Sequence, residues 1–365
     1  MKYLIFRDDG IGDLIISTPL IKIIKDYDKD ANITLIYGAR NFEYANHYKN
    51  EGLIEEVISA PTKNGFLNKL LFIIKIRKIK ADCSFILNPK NINYVYAHLS
   101  KSRKVYGFLT LNTSSKNRTR YRPNKILINF LLNKYIKIDA TNNFANSQEV
   151  HWSSYYISLV SEALMDLNLA KETKFINDQL KYVQLKLTDQ EKKLLQHLRS
   201  SCIDTNNINI LHLDEKWDRS NWSNKEISYF ISKIINEIDG FLVMTQGLYS
   251  TNYNKFLFNE FNFQKIKRLS NTSIYKSKIN KKFFLIKPTN MTELTILIKN
   301  SKLVIEHHGG LAHIASMYNK KVVDLIYPSQ ENFLKKWMPR STDFIQIKVT
   351  NKKYTLKNVL GFIKK

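Results

Sequence analysis

Cysteine, proline and long apolar runs are scarce in this sequence of 365 residues, which has 2 Cys and 7 Pro. Cys83 and Cys202 lie far apart, so neither a disulfide framework nor a zinc cluster is encoded, and a reducing compartment fits. No apolar run approaches the roughly 20 residues of a membrane-spanning helix. The N-terminus lacks the cleavage site of a secretion signal. We therefore expect a cytoplasmic protein.

Acidic residues are also few, and 57 Lys and Arg against 32 Asp and Glu give a formal net charge of +25. Many of the lysines accompany Asn and Ile, a pattern that AT-rich codon usage produces in any protein. The excess is uneven, however, because residues 61–125 hold fifteen Lys or Arg and one acid, Asp82. This segment predicts an acidic partner. Nucleic acid is not the partner we expect, since no RNP-like strand, recognition helix or basic tail is present.

Hydrophobic residues make up 44% of the chain and aromatic residues 12%, which excludes a disordered or fibrous protein. Apolar runs typical of buried strands, such as Lys2–Arg7 and Cys83–Leu87, alternate with helical patterns. The first helix includes Pro19, which we place within its first turns. The pattern predicts α/β structure with a parallel sheet.

A polar, lysine-rich stretch over residues 170–206 separates this region from a second α/β series that begins at Ile208–Leu213. We predict two Rossmann-like domains, 1–180 and 181–365, facing across a central cleft. We leave open whether the last helix packs back on the N-terminal domain. Ligands of such folds bind at the carboxyl ends of the strands, so the chemistry is sought in the strand-to-helix turns.

The first of these turns contains Gly10, Gly12 and Asp13. As a dinucleotide fingerprint it is poor, because Ile15 replaces the third glycine. Asp13 places a carboxylate at the mouth of the sheet, where backbone N–H groups converge. The alternative is an ordinary acidic residue capping a helix.

A second turn, Glu306–His313, reads EHHGGLAH and follows an apolar run. Gly309 and Gly310 at a helix start allow backbone amides to approach a phosphate closely, and the helix dipole favours the negative charge. Three histidines raise the possibility of a metal site. His307 and His308 are adjacent and cannot both face one ion easily, so we expect no metal.

A third turn, Asp214–Trp222, carries Lys216 and Arg219 at the end of a predicted strand. These cations could reach across a diphosphate. Alternatively, they are solvated loop charges.

The pattern R-x4-G-D-x5-P over Arg7–Pro19 resembles the N-terminal signature of the ADP-heptose:lipopolysaccharide heptosyltransferases, glycosyltransferase family 9. Leu303–Pro328 resembles the same family's C-terminal strand, loop, helix and strand, written around D-[ST]-G-P-x-H. Further segments extend the likeness over nearly the whole chain. The resemblance implies a GT-B fold and an inverting, metal-independent transfer of a sugar from a nucleotide-diphosphate donor.

The resemblance also implies roles for single residues. Asp13 matches the family's catalytic base, which takes the proton from the acceptor hydroxyl. The donor is a substrate, so no cofactor is expected, and the default donor and acceptor are ADP-heptose and a lipopolysaccharide or lipooligosaccharide core. The positions expected to bind the nucleotide sugar are Gly12, Lys216, Arg219, His308, Gly309, Gly310 and His313.

Three positions depart from the family pattern in the donor loop. His308 replaces the family's Asp, Gly309 its Ser or Thr, and Leu311 its Pro. An imidazole can donate a hydrogen bond and carry positive charge, whereas an ionised carboxylate only accepts, so we expect a shifted donor preference. The alternatives are a transferase using a different nucleotide sugar for capsule or protein glycan, and a non-catalytic binding module.

The acceptor of the resembled family is an acidic, lipid-linked oligosaccharide, and four basic residues of the N-terminal half are predicted to bind it: Lys116, Arg118, Arg120 and Arg122. The competing reading of these residues is a disordered basic loop. The basic helical pattern at Phe66–Lys80 could rest on the anionic inner face of the cytoplasmic membrane. We favour the alternative, a helix packed on the sheet with solvated lysines.

Overall fold

The computed structural model describes residues 1–61, 65–113, 119–122, 128, 130–140, 151–170, 181–247, 253–269, 272–288, 290–338 and 343–364. The chain forms two compact units. The first comprises Met1–Leu185 and Lys335–Met338, and the second comprises Lys186–Leu334 and Pro339–Lys365.

The first unit is built on a sheet with the strand order β3-β2-β1-β4-β5-β6, in which β7 also pairs with β5. All its described pairings are parallel except that of β6 with β5. Its central strand β1, buried from Tyr3 to Arg7, is flanked by β2 and β4. The order of successive strands therefore reverses between β1 and β4, which is the topological switch point of this sheet. The strands are β1 (Lys2–Arg7), β2 (Asn32–Tyr37), β3 (Glu56–Ser59), β4 (Cys83–Ile86), β5 (Lys104–Thr113), β6 (Thr119–Arg122) and β7 (Lys134–Ala140).

The helices of this unit are α1 (Ile11–Tyr27), α2 (Phe42–Asn50), α3 (Phe66–Ile79), α4 (Asn91–Leu99) and α5 (Trp152–Asp166). Pro19 lies in the middle of α1 and not in its first turns, which corrects our placement. Proline cannot donate to the carbonyl of Ile15. The Thr18 hydroxyl donates to that carbonyl instead, at 2.7 Å, which explains how the helix continues.

The segment Lys335–Met338 joins the first unit through two contacts at the start of α5. His151 Nε2 lies 2.9 Å from the carbonyl oxygen of Met338. The rings of Trp152 and Trp337 pack with centroids 4.9 Å apart. A late part of the chain therefore completes the core of the N-terminal unit.

The second unit is built on a sheet with the order β10-β11-β12-β9-β8-β13-β14-β15. The pairings from β12 to β15 are parallel, while β10 and β11 pair antiparallel at one edge. In this sheet the order of successive strands reverses between β8 and β13, which is its topological switch point. The strands are β8 (Ile208–Leu213), β9 (Phe241–Gln246), β10 (Phe263–Leu269), β11 (Thr272–Ser277), β12 (Phe283–Lys287), β13 (Ser301–His307), β14 (Lys321–Ile326) and β15 (Phe344–Lys348).

Helices cover both faces of this sheet, as the buried apolar strands require. The last helix belongs to this unit, where Val359 is fully buried in the core. The helices are α6 (Thr188–Arg199), α7 (Asn224–Glu237), α8 (Tyr253–Glu260), α9 (Met291–Lys299), α10 (Gly310–Met317), α11 (Glu331–Leu334) and α12 (Lys352–Ile363). A 3₁₀ turn, Trp217–Ser220, follows β8.

The predicted α/β class with two Rossmann-like units is confirmed. The sequence pattern missed β6, β7, β10, β11 and β15. Within the described part of the chain, none of the helices combines the length and the hydropathy that crossing a bilayer requires.

Candidate functional site

In the first unit, a buried arginine organises the loop at the switch point between β1 and β4. Arg7 ends β1 and is 1% exposed. Its guanidinium donates to the carbonyls of Asp13 and Leu87 and to the Tyr156 hydroxyl, each at 2.8 Å. Burial lowers its pKa, but Asp9, Tyr156 and Asp13 together raise that pKa above the ordinary value. Arg7 is therefore a fixed positive centre.

Three aspartates surround this centre, and their environments differ. Asp8 accepts hydrogen bonds from Asn88, Asn93 and Lys90 at 2.7–2.9 Å, so both of its oxygens are occupied. Although burial raises its pKa, the bonds from Lys90 and Asn93 lower it overall. Asp8 therefore serves to tie the β1 and β4 loops together.

Asp9 lies 3.2 Å from Arg7 Nη1, and its Oδ1 is buried with no hydrogen-bond partner among the described residues. Burial raises the pKa of Asp9 to about 7, with Asp13 and Asp8 adding to the effect and Arg7 opposing it. Asp9 can therefore exchange a proton near neutral pH.

Asp13 lies in the first turn of α1, with Oδ1 3.4 Å from Arg7 Nη2 and Oδ2 accepting from the Gly10 amide at 3.0 Å. A side chain at Gly10 would press on Oδ2, so this position favours glycine. The Asp13 side chain is 28% exposed, against 24% for Asp9 and 12% for Asp8. Of the three carboxylates, Asp13 is the most exposed, and its bond from the Gly10 amide is the cap that the alternative reading predicts.

In the second unit, Lys216 crosses the switch point from the loop after β8 to the glycine turn after β13. Its Nζ donates to the carbonyl of His308 at 2.8 Å and pairs with Asp214 Oδ2 at 2.9 Å. A Cβ on Gly309 would collide with that same Nζ, so a side chain at this position would displace Lys216 from the turn. Lys216 thus braces the glycine turn through its bond to the His308 carbonyl. Helix α10 begins directly after the turn, at Gly310.

Buried carboxylates surround Lys216. Glu306 is 1% exposed at the end of β13, and burial raises its pKa well above the ordinary value, although Lys216 and the Ala312 amide lower it. Burial also lowers the pKa of Lys216, but Asp214 and Glu306 raise it overall. The cation and the carboxylates therefore stabilise one another behind the glycine turn.

The two adjacent histidines have different surroundings. His307 packs edge-on against Trp217 and face-to-face with Tyr327, at centroid distances of 4.8 and 5.2 Å. Burial and the nearby Lys216 lower its pKa to about 3, so His307 is a neutral core residue. His308 instead places Nδ1 2.7 Å from Asp324 Oδ2 and lies close to the turn.

The remaining predicted donor-binding residues are placed as follows. His313 is buried in α10, with its ring centroid 5.9 Å from that of His308. Arg219 is exposed in the 3₁₀ turn after β8. Gly12 is buried in α1 and belongs to the first unit, whereas the others belong to the second.

The predicted acceptor residues are described only in part. Lys116 and Arg118 lie outside the described residues. Arg120 and Arg122 belong to β6, in register with Asn112 and Thr110 of β5. At these two positions the chain forms a sheet edge, and the alternative of a disordered loop is wrong for them.

Helix α3 presents an apolar surface that sequence reasoning placed against the sheet. Only Phe72 and Ile76 are buried. Phe66 is 83% exposed and Leu67 65%, and Leu70, Leu71 and Ile74 are also exposed. A hollow beside the helix end is lined by four basic residues, Arg77, Lys80, Lys101 and Arg103, and by one acid, Asp82, which lies 3.4 Å from Arg103. We call these five exposed side chains and the basic hollow the α3 surface.

The described residues contain no group of three or more His, Cys, Asp or Glu side chains arranged to hold a metal ion.

No family model matches the sequence, and no curated protein is similar to it in sequence. Solved structures do share its fold. A glycosyl transferase family 9 protein from Veillonella parvula matches with TM-score 0.69 and 13% identity, over 99% of this chain and 97% of that one. The ADP-heptose lps heptosyltransferase II of E. coli matches with TM-score 0.65 and 14% identity, over 100% and 98%.

A UDP-GlcNAc 2-epimerase from Methanocaldococcus jannaschii also matches, with TM-score 0.56 and 16% identity, over 100% of this chain and 93% of that one. These likenesses show that the chain has the α/β GT-B fold. Because the fold supports both transfer and epimerisation, activity has to be argued from the sites.

Sequence reasoning missed the partners that shape both sites. Asn88 and Asn93 hold Asp8, Tyr156 holds Arg7, and Asp324 with Gln346 accompanies His308. The one available signal was Asp324, an isolated carboxylate within the apolar run VVDLIY, because a buried charge needs a partner.

Proposed function

We propose that this protein is an inverting, metal-independent glycosyltransferase that uses a nucleotide-diphosphate sugar. The observation that carries the proposal is the pair of sites at the two switch points: partly exposed aspartates around Arg7 in one unit, and a glycine turn braced by Lys216 in the other. One site suits a proton acceptor and the other an anionic leaving group. A GT-B fold shared with glycosyltransferases supports the same assignment.

On the donor side, the amides at the start of α10 receive the diphosphate. Gly309 has no Cβ, which lets Lys216 Nζ approach the turn, and the helix dipole favours negative charge there. Lys216 adds positive charge beside the turn. The charge that develops on the leaving diphosphate is met by these fixed dipoles and cations. His313 and Arg219 complete the proposed donor site, and Gly12 remains a proposed nucleotide-sugar residue.

On the acceptor side, Asp13 acts as the general base. The acceptor oxygen attacks the anomeric carbon, its proton passes to Asp13, and the bond from that carbon to the diphosphate oxygen breaks. Arg7 holds the Asp13 carboxylate in place. The acid Asp13 then returns the proton to solvent, which restores the carboxylate for the next turnover.

The proposed acceptor is the acidic, lipid-linked core of a lipopolysaccharide or lipooligosaccharide, contacted by Lys116, Arg118, Arg120 and Arg122. ADP-heptose is the default donor, by analogy with the E. coli heptosyltransferase. Because His308 stands at the turn, we propose that the preferred donor differs from ADP-heptose. The alternative is a transferase that uses another nucleotide sugar to build a capsule or protein glycan. No cofactor is part of the proposal.

The test is a panel of ADP-, UDP-, GDP- and CMP-linked sugars, assayed with lipooligosaccharide from a strain that lacks the gene. We expect acceptor-dependent release of the nucleotide and a product heavier by one sugar in mass spectrometry. Interconversion of nucleotide sugars without an acceptor would show an epimerase instead. Clear preference for ADP-heptose, undiminished in His308→Ala, would contradict the altered donor preference.

We also propose that the protein works at the cytoplasmic face of the inner membrane, bound through the α3 surface. Exposed Phe66 and Leu67 can enter the interface of a bilayer, and the basic hollow suits anionic headgroups. The α3 sequence FLNKLLFIIKIRKI contains no acidic residue. A lipid-linked acceptor would be met at the same surface of the membrane.

Sedimentation with lipid vesicles tests this surface. We expect the full chain to bind phosphatidylglycerol-containing vesicles and not phosphatidylcholine vesicles, and binding to be lost in the triple variant Phe66→Ser, Leu67→Ser, Leu71→Ser. Ile279→Ser is the matched control, because Ile279 is 68% exposed in the second unit. Equal binding by the triple variant and the control would contradict the proposal.

A further inference from the structure

A row of three polar side chains crosses three neighbouring strands and ends at the glycine turn. His308 Nδ1 lies 2.7 Å from Asp324 Oδ2, and Gln346 Nε2 donates to the same oxygen at 2.9 Å. Asp324 of β14 is directly in register with Gln346 of β15 and with Glu306 of β13. The row therefore depends on the strand register and is fixed by the sheet.

The bond to Asp324 determines which nitrogen of His308 carries the proton. An ionised carboxylate only accepts hydrogen bonds, so the proton between the two groups belongs to Nδ1. Buried partners of this kind fix the tautomer and the orientation of a histidine ring. Nε2 is then the nitrogen left for a ligand, as an acceptor in the neutral ring and as a donor in the charged ring.

A purely structural role explains this arrangement poorly. Asp324 is fully buried, and its Oδ1 has no hydrogen-bond partner among the described residues. Burying a carboxylate costs free energy that a well-packed apolar pair would not. His307 next to it shows how this unit treats a structural histidine: packed between aromatic rings and neutral.

We propose that Asp324 and Gln346 are positioning residues that hold His308 with Nε2 toward the donor, where its charged ring donates a hydrogen bond to a phosphate oxygen. The inference rests on the proposed function and deepens it. His308 is one residue before Gly309, the N-cap of α10, where backbone amides already favour an anion. The Asp324 carboxyl group contacts Nδ1, and two further titratable groups lie nearby: His313 on α10, and Lys216 at the His308 carbonyl.

The first test measures the tautomer without any ligand. Two-bond ¹H–¹⁵N correlation spectra of the full chain, recorded without ligand and at a pH where the ring is neutral, should show His308 protonated at Nδ1. Asp324→Leu removes both acceptor oxygens and should abolish that preference, while the same substitution at exposed Asp239 should leave it unchanged. A neutral His308 ring protonated at Nε2, or an unchanged tautomer in Asp324→Leu, would overturn the positioning role.

The second test measures binding of ADP and UDP by calorimetry. An asparagine amide can replace Nδ1 and keep the bond to Asp324, but it cannot reach where Nε2 reaches. We expect His308→Asn to keep its fold and bind the nucleotide about ten-fold more weakly, the scale of one charge-assisted hydrogen bond. We expect Asp324→Leu to bind more weakly as well, and the Asp239→Leu control to bind like the wild type.

Wild-type affinity in His308→Asn would overturn the ligand-facing role. Absence of nucleotide binding by the wild-type protein would contradict the proposed function together with that role, whereas the tautomer measurement would still decide whether Asp324 positions His308.

Discussion

The loops at the two switch points bury ionisable groups of opposite type. In the first unit the buried group is the Arg7 guanidinium, and the aspartates around it are partly exposed. In the second unit the buried groups are the carboxyl groups of Glu306 and Asp324, while Lys216 contacts the His308 carbonyl and the His308 ring contacts Asp324. Sheets of similar topology thus present a carboxylate surface in one case and an anion-attracting surface in the other.

In the proposed transfer, this contrast gives the two sites different tasks. A buried cation opposes the protonation of a nearby carboxylate, as at Asp9, where Arg7 lowers a pKa that burial raises. Buried carboxylates keep nearby cations charged, as an anionic leaving group requires. The two sites therefore differ in the kind of group that is buried: a guanidinium in the first unit and carboxyl groups in the second.

The largest effect should follow from removing the buried charge of the first unit. Arg7→Met nearly preserves side-chain volume but leaves Asp9 and Asp13 without their cation. We expect the free energy of unfolding to fall by about 3–5 kcal/mol, the scale for breaking a buried ion pair. Urea denaturation measures it, with Arg40→Met as an exposed control expected within about 0.5 kcal/mol of the wild type. A loss under about 1 kcal/mol would show that Arg7 does not organise this site.

The next effect concerns catalysis. Asp13→Asn should retain the fold and the affinity for ADP, because the proposed phosphate site lies in the other unit. Turnover should fall by roughly 10²-fold or more, the usual scale for a positioned general base. Steady-state kinetics on Asp13→Asn, Asp9→Asn and Asp8→Asn distinguishes the three carboxylates. Near-normal turnover in Asp13→Asn with an inactive Asp9→Asn would move the base to Asp9, the group whose pKa lies near neutrality.

Central strands and local turns were predictable from the sequence, and the edges were not. Strands such as β1, β8 and β14 are mostly apolar, because parallel strands are covered on both faces. The edge strand β10 reads FQKIKRL and mixes charged with apolar residues, which also suits an exposed loop. Its assignment as a strand depends on pairing with β11, which the sequence of β10 alone does not show.

The same limit applies to the sites. Asp13, Gly309 and Gly310 belong to short motifs, so local sequence was enough to propose them. The partners that define their chemistry are distant along the chain: Asn88 is 80 residues from Asp8, and Asp324 is 16 residues from His308. Their contacts follow from strand order and register, which hydrophobic periodicity does not specify.

The smallest effect is a pH dependence that tests the buried environment of Asp9. Burial raises the pKa of Asp9 to about 7, against about 3.9 in an unfolded chain. Between these values the folded protein binds a proton that the unfolded chain releases, so this group makes folding less favourable as pH rises through that window. Asp9→Asn stays neutral throughout. From about pH 5 to about pH 8, the wild type should therefore lose stability relative to Asp9→Asn.

Hydrogen exchange of peptides from β1 and β4, compared between wild type and variant at each pH, measures this difference and cancels the intrinsic pH dependence of exchange. Asp8→Asn is the matched control. Its carboxylate has a lowered pKa, so the stability it contributes is fully present above about pH 4 and does not change between about pH 5 and 8. If the wild type and Asp9→Asn keep a constant difference over this range, Asp9 is an ordinary carboxylate. Asp13 would then be the sole candidate for proton exchange beside Arg7.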